Sequence, residues 1–519
     1  MQPNLDLIIK GNILTMANQQ PRTQAVGVKN GKIAVVGSLD EFTKAKGNDT
    51  LVLDLKGKTV LPGFIDSHMH PVLTGMVHAG VDLSAVHTID DTLVKIKKRV
   101  EKTHPGVWIQ CFRFQDKLLQ EKRFPTKQEL DDISTAHPII IFHNDLHFAM
   151  MNTPAMQQID IPAELEGVQT NEAHEPTGYI EDPAILEIDA KIRELLDDED
   201  ILEQVILSAQ LALQEGITSL HMKESPDVIR IIIQNQDRIP VRFKPLVLVT
   251  DINDMDALDE IVASDNLRQN ACICLIADGT FDGHTAATLE PYTDDPSTWG
   301  MLFYDDEALY RFMRKAHQAE LQLSVHTVSD RATEQALTIY EKILDEHPRK
   351  DHRHRFEHFE IPTREQLKRT VTRRLAAGMQ PMFVPVCEGP DLEGYRKFIG
   401  EERVKRSNAF RTIIDEGLLV AGGSDSPVTP MSALQGVQAC LTHPLEEQRI
   451  SLYEALRLFT INSAKIGFEE DIKGSIEKGK LADFVVLSRD PYLVPHDEIG
   501  NITVEMTILG GNIVYQNKT

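Results

Sequence analysis

LPGFIDSHMH, residues 61–70, is a short apolar run that ends in two histidines. Such a run favours a strand, and on a strand the side chains at positions i and i+2 lie on the same face. His68 and His70 therefore point the same way, which is a natural start for a metal site. A His-x-His pair alone is weak evidence. Its place at the carboxyl end of a strand, where barrel enzymes hold their catalytic residues, makes it stronger.

Three further residues stand at the end of a predicted strand in the same way. His326 and His358 each close a short run, and Asp425 follows the apolar run at residues 419–424. A single terminal histidine is more often a hydrogen-bonded surface residue than a ligand. Together with the first pair, however, these residues place four imidazoles and one carboxylate at one end of the fold. That set suits Zn²⁺, Fe²⁺ or Mn²⁺.

The middle of the chain alternates strands and helices, which predicts a (β/α)8 barrel. Eight barrel strands are expected at residues 63–67, 217–220, 240–250, 271–277, 321–326, 354–358, 379–384 and 417–423. Helices are expected at residues 201–214, 305–319, 331–344, 364–377, 431–441 and 451–461. Residues from about 71 to 197 do not follow this repeat, and we expect them to form an inserted subdomain over the barrel mouth.

Both ends of the chain carry short β-runs, and the Asn30-Gly31 pair is a strong hairpin signal. We expect these ends to build one composite β-sandwich domain from residues 1–58 and 471–519. The barrel domain would then occupy residues 59–470. The alternative is two unrelated β-appendages.

The composition is that of an ordinary globular protein with a strongly acidic charge. Hydrophobic residues make up 41% of the 519 residues, and 54 Lys and Arg against 79 Asp and Glu give a formal charge of −25. Such a charge repels nucleic acid and anionic membranes, so neither is expected as a partner. The expected partner is a small-molecule substrate. Five cysteines in so long a chain argue against a disulfide framework. With no signal-peptide pattern and no long apolar run, a cytoplasmic location is expected.

A divalent metal held by these ligands would support hydrolysis. A bound metal lowers the pKa of its water from 15.7 to about 7 and polarises a carbonyl oxygen. A carboxylate beside that water can take its proton and pass it to the leaving group. Asp425 is the candidate for this catalytic role, and His326 is a candidate for polarising the carbonyl.

Several segments of the chain resemble the amidohydrolase superfamily and occur in the same order. They are LPGFIDSHMH at 61–70, SVH at 324–326, RFEH at 355–358, GSDSP at 423–427 and KGSIEKGKLAD at 473–483. The YtcJ-like branch, which includes N-substituted formamide deformylases, is the most similar. Segments typical of that branch are matched by ADGT at 277–280, by DRA at 330–332 and by His147 with Asn152. The similarity covers essentially the whole chain.

The resemblance implies a TIM barrel, a composite β-sandwich and a defined set of site residues. The metal ligands that it implies are His68, His70, His326, His358 and Asp425. It also implies substrate-side roles for His147 and Asp278, although His147 could equally be an ordinary buried histidine. His221 ends a predicted strand, where it could line the pocket or merely cap the strand. A homodimer is a further expectation from the family.

Cys274 marks a departure from the family pattern. Members often carry a lysine in the strand before the ADG segment, and its carbamate bridges two metals; here Cys274 stands at that position. A thiolate is a good zinc ligand, so Cys274 is a candidate metal ligand. The alternative is that it is a small buried hydrophobic residue beside a single metal. Lys223, after the second strand, is expected to be a solvated lysine.

Three functions stay open on the sequence alone. The first is hydrolysis of a C–N bond in an amide, formamide or cyclic amide by metal-activated water. In the second, the same site acts on an ester, on a C–Cl bond or, as a deaminase does, on a ring carbon. The third is a metal-free, non-catalytic scaffold, against which the retention of all five ligands argues. The sequence does not decide the substrate, the number of metal ions or the metal, for which zinc is the first expectation.

Overall fold

The computed structural model describes most of the chain and divides it into two compact units. The described residues are 5–38, 42, 47, 49–144, 148–162, 164–181, 184–253, 255–264, 267 and 271–518. One unit contains residues 1–71 and 209–519, and the other contains residues 72–208. The domain bounds expected from the sequence, and the position of the inserted subdomain over the barrel mouth, stay a prediction.

The strands of the described part are numbered here in chain order. They are β1 Leu7–Leu14, β2 Arg22–Lys29, β3 Lys32–Gly37, β4 Leu51–Pro62, β5 Phe64–Met69, β6 Val81–Asp82, β7 Ile109–Phe114, β8 Ile139–His143, β9 Phe148–Met151, β10 Val168–Thr170, β11 Pro176–Glu181, β12 Ile217–Glu224, β13 Arg242–Leu248, β14 Cys272–Ile276, β15 Gln322–Thr327, β16 Arg355–His358, β17 Ala376–Met379, β18 Leu419–Gly422, β19 Phe484–Leu487, β20 Val504–Leu509 and β21 Asn512–Gln516.

The helices in the described residues lie mainly between the barrel strands and in the second unit. They are Pro71–Ala79, Ile89–Val100, Lys127–Asp131, Thr153–Ile159, Ala184–Glu194, Asp198–Gln214, Pro226–Gln234, Met255–Ala263, Asp306–Gln318, Asp330–Glu346, Arg364–Thr372, Glu393–Val404, Phe410–Asp415, Ala433–Leu441, Leu452–Leu458 and Ile461–Ile466, with a π-helix at Val384–Glu388. Within the described ranges, no helix is long and apolar enough to cross a membrane.

Eight parallel strands form the barrel, in the order β18-β17-β16-β15-β14-β13-β12-β5. Two backbone hydrogen bonds bring its first and last strands together. Asp425 N donates to His68 O at 2.8 Å, and His70 N donates to Ser426 O at 3.0 Å. The predicted (β/α)8 barrel is thereby confirmed, and its closing bonds involve the same residues that the sequence singled out as metal ligands.

One barrel strand lies elsewhere than the sequence predicted. The expected helix at 364–377 ends at Thr372, and the strand expected at 379–384 is β17, which ends at Met379. The sequence AAGM has a weak strand propensity, because alanine and glycine are poor strand formers. Small residues are needed there: a Cβ added to Gly378 would collide with the Glu357 carboxylate inside the barrel.

The two ends of the chain form one continuous sheet of seven strands. Its order is β21-β20-β19-β4-β1-β2-β3, and β4 pairs antiparallel with β19, so that Val60 lies opposite Val486. Apolar side chains from both termini, such as Val60 and Phe484, share one buried core. The composite β-domain is therefore confirmed, and the alternative of two unrelated appendages is wrong. The second unit has its own six-stranded sheet, in the order β10-β11-β9-β8-β7-β6.

A chain of buried histidines lies near the amino-terminal ends of β15 and β16. Leu323 N donates to His354 Nδ1 at 3.0 Å, so the His354 proton sits on Nε2 and faces His317 Nδ1 at 2.8 Å. His354 N donates to His352 Nδ1 at 3.0 Å, and His352 Nε2 donates to Arg373 O at 3.0 Å. Every ring is thus held in one neutral tautomer. Burial accordingly lowers the pKa of His352 to about 4 and that of His354 well below its ordinary value.

This histidine chain should make stability fall in acid. An unfolded histidine takes up its proton near pH 6.5, whereas folded His352 does so only near pH 4. The stabilisation is therefore complete above about pH 6.5 and is lost between pH 6.5 and 4, at up to about 1.4 kcal/mol per pH unit for one proton. Thermal melts at pH 7.5, 6 and 5 should show a smaller acid loss for His352→Gln than for the wild type. Parallel losses in both proteins would contradict this.

Candidate metal centre

His68, His70 and Asp425 come together at the carboxyl end of the barrel. One ligand atom from each lies within 4.8 Å of the others. Asp425 Oδ1 is 3.2 Å from the Nε2 atoms of both His68 and His70. His68 is the penultimate residue of β5, and His70 follows directly after that strand. The alternation of side chains that predicted a shared face is what brings the two rings to one carboxylate.

The loop after β18 is shaped to bring Asp425 against β5. Asp425 has a φ of 55°, in the left-handed region that side chains other than glycine rarely occupy. A Cβ added to Gly423 would lie 2.8 Å from His68 N, so only glycine allows so close an approach. Buried Asp66 fixes the same contact, because its Oδ1 accepts from His68 N at 3.1 Å and from Ser424 N at 3.0 Å.

Glu357 orients the His68 ring from inside the barrel. Its Oε2 lies 2.7 Å from His68 Nδ1, and its Oε1 accepts from Ser324 Oγ at 2.6 Å and pairs with Arg355 Nε at 2.5 Å. Burial raises the pKa of Glu357, but Arg355 and His68 outweigh it, so the pKa lies below its ordinary value. The ionised carboxylate holds the ring proton on Nδ1, which leaves Nε2 free to bind toward Asp425.

His326 and His358 lie beside this group. The His326 and His358 ring centroids are 4.3 Å apart, and the His358 ring lies 5.2 Å from that of His68. The His358 pKa is well below its ordinary value, chiefly because of burial and then because of His326. Burial likewise lowers the pKa of His70 to about 4. The rings of His358 and His70 are therefore neutral at pH 7, which is the form that binds metal.

The buried polar atoms of the centre fit a divalent metal. His68 Nε2, His326 Nδ1, His358 Nδ1 and Asp425 Oδ1 are buried, and none has a hydrogen bond of good geometry among the residues that the structure describes. Leaving one such atom unpaired costs about 1–3 kcal/mol, so the fold would not keep several together without a use for them. Neutral imidazole and carboxylate are ligands that divalent metals of the first transition row accept.

Cys274 and Lys223 line the barrel near these residues. Cys274 is buried in β14, and burial raises its pKa, whereas the nearby charge of Lys223 lowers it. In the described ranges, the metal-type group is His68, His70 and Asp425, and Cys274 is not part of it. The expectation of a solvated Lys223 is wrong: it is 3% exposed, because β12 continues to Glu224, beyond the predicted end at 220.

The predicted substrate-side residues have different surroundings. Asp278 is buried and accepts from Val328 N at 3.0 Å, from Ser329 N and Ala287 N at 3.1 Å each, and from Ser329 Oγ at 2.6 Å. Its Oδ1 is 3.6 Å from His326 Nδ1. It therefore fastens the loops after β14 and β15 beside that ring.

The other two predicted substrate-side residues are His221 and His147. His221 lies inside β12, where its Nδ1 is 3.5 Å from Arg355 Nη1 and its Nε2 is 3.9 Å from Glu469 Oε2. His147 lies outside the described residues.

Glu357 and Gln380 are candidate functional residues that the sequence reasoning missed. Arg355 and Glu357 alternate on a buried strand, and two charged residues facing a barrel interior are a signal that could have been followed. Gln380 directly follows β17, and its side-chain amide is buried without a hydrogen-bond partner in the described part of the chain. No sequence pattern points to Gln380, because the strand that precedes it was predicted at 379–384 and lies at Ala376–Met379.

Disturbing Glu357 should weaken metal binding. We expect Glu357→Gln and Gly378→Ala each to lower metal affinity by about 10–100-fold, because both release His68 from its orienting carboxylate. Competition with a chelating dye measures the affinity, and a thermal melt confirms that each variant is folded. Ser324→Ala keeps the contact between Glu357 and His68 and should have a smaller effect. Wild-type affinity in both of the first two variants would show that Glu357 does not orient the ligand.

Comparison with known proteins agrees with this geometry. Residues 51–515 match the model of an amidohydrolase family. The chain is 29% identical to YtcJ of Bacillus subtilis over 531 residues, which cover 98% of each protein, and 25% identical to the N-substituted formamide deformylase of Arthrobacter pascens over 550 residues, with the same coverage. The fold of an uncharacterized metal-dependent hydrolase from Pyrococcus furiosus superposes with a TM-score of 0.80 at 24% identity, covering 93% of this chain and 99% of that one. The chain is a hydrolase that belongs to the amidohydrolase family.

Proposed function

We propose that the protein is a metal-dependent hydrolase that cleaves the C–N bond of an amide, formamide or cyclic amide. The observation that carries this proposal is the group of His68, His70 and Asp425, whose ligand atoms lie within 4.8 Å of one another at the carboxyl end of the barrel. The formamide deformylase among its relatives, similar along 98% of both chains, supports a carbonyl substrate with a nitrogen leaving group.

Zinc is the metal that we propose for this centre, although Fe²⁺ or Mn²⁺ would accept the same ligands. When bound, such a metal acidifies a water and polarises a carbonyl oxygen. The residues proposed to hold it are His68, His70, His326, His358 and Asp425, with Cys274 as a further candidate.

Asp425 is the proposed proton carrier. Burial raises its pKa, but the contacts with His68 and the hydrogen bond with His70 outweigh that effect, so the pKa lies well below the ordinary value and Asp425 is ionised at neutral pH. An ionised carboxylate can take a proton from the attacking water and return it to the nitrogen of the leaving amine. Amines are poor leaving groups unless they are protonated, so this second transfer is needed to break the C–N bond.

His326 is proposed to polarise the substrate carbonyl, with Asp278 holding the loop beside its ring. His147 and His221 remain proposals for the substrate side. All five cysteines lie in the described residues and are free, which supports a reducing cytoplasmic location. A homodimer stays a proposal from the family alone.

Replacing Asp425 should abolish turnover. A carboxamide neither accepts the proton nor binds metal well, so Asp425→Asn should lower kcat by at least about 10²–10⁴-fold. The assay follows amine release from N-formyl and N-acyl amines and from cyclic amides, with matched esters alongside. Asp471→Asn, at an exposed position, is the matched control and should keep wild-type activity. Turnover by Asp425→Asn would remove this residue from its proposed role.

Metal stoichiometry should show whether Cys274 is a ligand. Because Cys274 lies outside the metal-type group of the described residues, we expect about one tightly held ion per chain. Protein purified without chelators is analysed by elemental mass spectrometry, for wild type and for Cys274→Ala. The same content in both is the expected result. About two ions in the wild type, falling to one in the variant, would instead make the thiolate a bridging ligand.

A further inference from the structure

Three buried side chains form a second polar group beside the metal centre. Glu360, Glu388 and Asn408 are 1%, 0% and 1% exposed. Glu360 lies two residues beyond the end of β16, Glu388 is the last residue of the π-helix Val384–Glu388, and Asn408 follows the helix Glu393–Val404. We call these three residues the acceptor cluster.

Hydrogen bonds hold the acceptor cluster together. Asn408 N donates to Glu360 O at 2.8 Å, and Asn408 Nδ2 donates to Glu388 Oε1 at 2.6 Å. Ser407 Oγ donates to the same Glu388 oxygen at 2.9 Å. The orientation of the Asn408 amide is fixed by this network, since the reverse orientation would place its oxygen against a carboxylate oxygen.

The atoms that remain unpaired are all oxygens. They are both carboxylate oxygens of Glu360, Oε2 of Glu388 and Oδ1 of Asn408, and none has a hydrogen bond of good geometry to any described residue. The charged side chains that act most strongly on Glu360 are the carboxylates of Glu388, Asp278 and Asp425. The Tyr395 hydroxyl is a hydrogen-bond donor directed at the Glu360 carboxyl, and it leaves at least one of the two oxygens open. Without a compensating cation, burial and the neighbouring carboxylates raise the pKa of Glu360 well above its ordinary value, and burial raises the pKa of Glu388 to about 7. A bound ligand that donates hydrogen bonds and carries positive charge would stabilise both groups in their ionised form, so the open oxygens of the cluster suit such a ligand.

The acceptor cluster borders the metal centre. The Phe383 ring stacks on that of His358, with centroids 5.5 Å apart and planes inclined by 19°. Phe383 is the N-cap of the π-helix that ends at Glu388. Glu360 lies two residues after His358, in the loop that follows β16. A ligand in contact with the acceptor cluster would therefore lie within a small molecule's length of the metal centre.

An organic cation suits the cluster better than a second metal ion. Among the described residues, the donor atoms close enough to share an ion are those of His68, His70 and Asp425, and neither Glu360 nor Glu388 belongs to that group. An ammonium presents three N–H donors and a guanidinium five, which can satisfy separated oxygens that a single metal ion would not reach.

We propose that the substrate carries a protonated amine or guanidinium, which donates hydrogen bonds to Glu360, Glu388 and Asn408 while its scissile C–N bond lies at the metal centre. The inference deepens the proposed function and rests on it. It makes the enzyme selective for the N-acylated form of a diamine or guanidino compound over an uncharged amide of the same size.

Cation binding tests the acceptor cluster without any chemistry. Isothermal titration calorimetry on the metal-loaded protein compares n-butylammonium and n-butylguanidinium with n-butanol. The wild type should bind the cations and not the alcohol. Glu388→Gln and Glu360→Gln should each weaken cation binding by about tenfold or more, as expected for a hydrogen bond to a charged group. Glu365→Gln, the same change at an exposed position, should bind as the wild type does.

Kinetics with two isosteric formamides tests the link to catalysis. N-formyl-1,4-diaminobutane and N-formylpentylamine differ only by an ammonium in place of a methyl group. In the wild type, kcat/KM should favour the charged compound by about tenfold or more, and in Glu388→Gln the ratio should fall toward one. The ratio compares two substrates of one protein sample, so partial unfolding cannot change it. Glu365→Gln should keep the wild-type ratio.

The outcomes separate this inference from the proposed function. Cation binding that depends on Glu388, with no hydrolysis of either formamide, would support the cation site at the acceptor cluster and overturn the proposed amide substrate. Hydrolysis without preference for the charged formamide, together with cation binding that ignores Glu388, would overturn the cluster alone. A bound divalent metal that is lost in Glu388→Gln would show that the cluster holds an ion instead.

Discussion

The buried carboxylate of Glu357 joins the metal centre to the barrel that carries it. It contacts an imidazole on β5, a hydroxyl on β15 and a guanidinium on its own strand β16, at 2.7, 2.6 and 2.5 Å. A charge in a barrel interior is tolerated only with such partners, so these strands are fixed around it. Gly378 on β17 leaves the space that the carboxylate fills. Because Glu357 occupies Nδ1 of His68, the ring has one free nitrogen, and that nitrogen faces Asp425.

The placement of the ligands could be predicted from the sequence because it follows from two simple rules. Side chains two residues apart on a strand share a face, which set His68 beside His70. Parallel strands of a barrel end at the same edge, which set Asp425 near that pair although it lies far along the chain. Neither rule requires knowledge of which distant residue a side chain contacts. The same rules placed His326 and His358 at this edge, where the structure also finds them.

What the sequence did not predict depends on partners that are distant in the chain. The strand β17 has a composition with weak strand propensity, and its Gly378 leaves the space that the Glu357 carboxylate occupies. Lys223 follows the predicted second strand and was expected in solvent, but β12 continues through it and the side chain is buried. The pairing of β4 with β19 joins the two terminal segments, and no local sequence pattern identifies β19 as the strand that pairs with β4. These features are tertiary, and local propensity gives way to them.

The two polar groups at this end of the barrel differ in the atoms that they leave unpaired, and that difference indicates what each can hold. At the metal centre the free atoms are imidazole nitrogens and one carboxylate oxygen, which together suit a metal cation with a preference for nitrogen. In the acceptor cluster they are oxygens only, spread over Glu360, Glu388 and Asn408, which suits a ligand with several N–H donors. The stacked rings of Phe383 and His358 connect the groups. One end of a substrate can therefore be bound by charge while its other end undergoes hydrolysis, so that binding energy far from the reacting bond positions that bond.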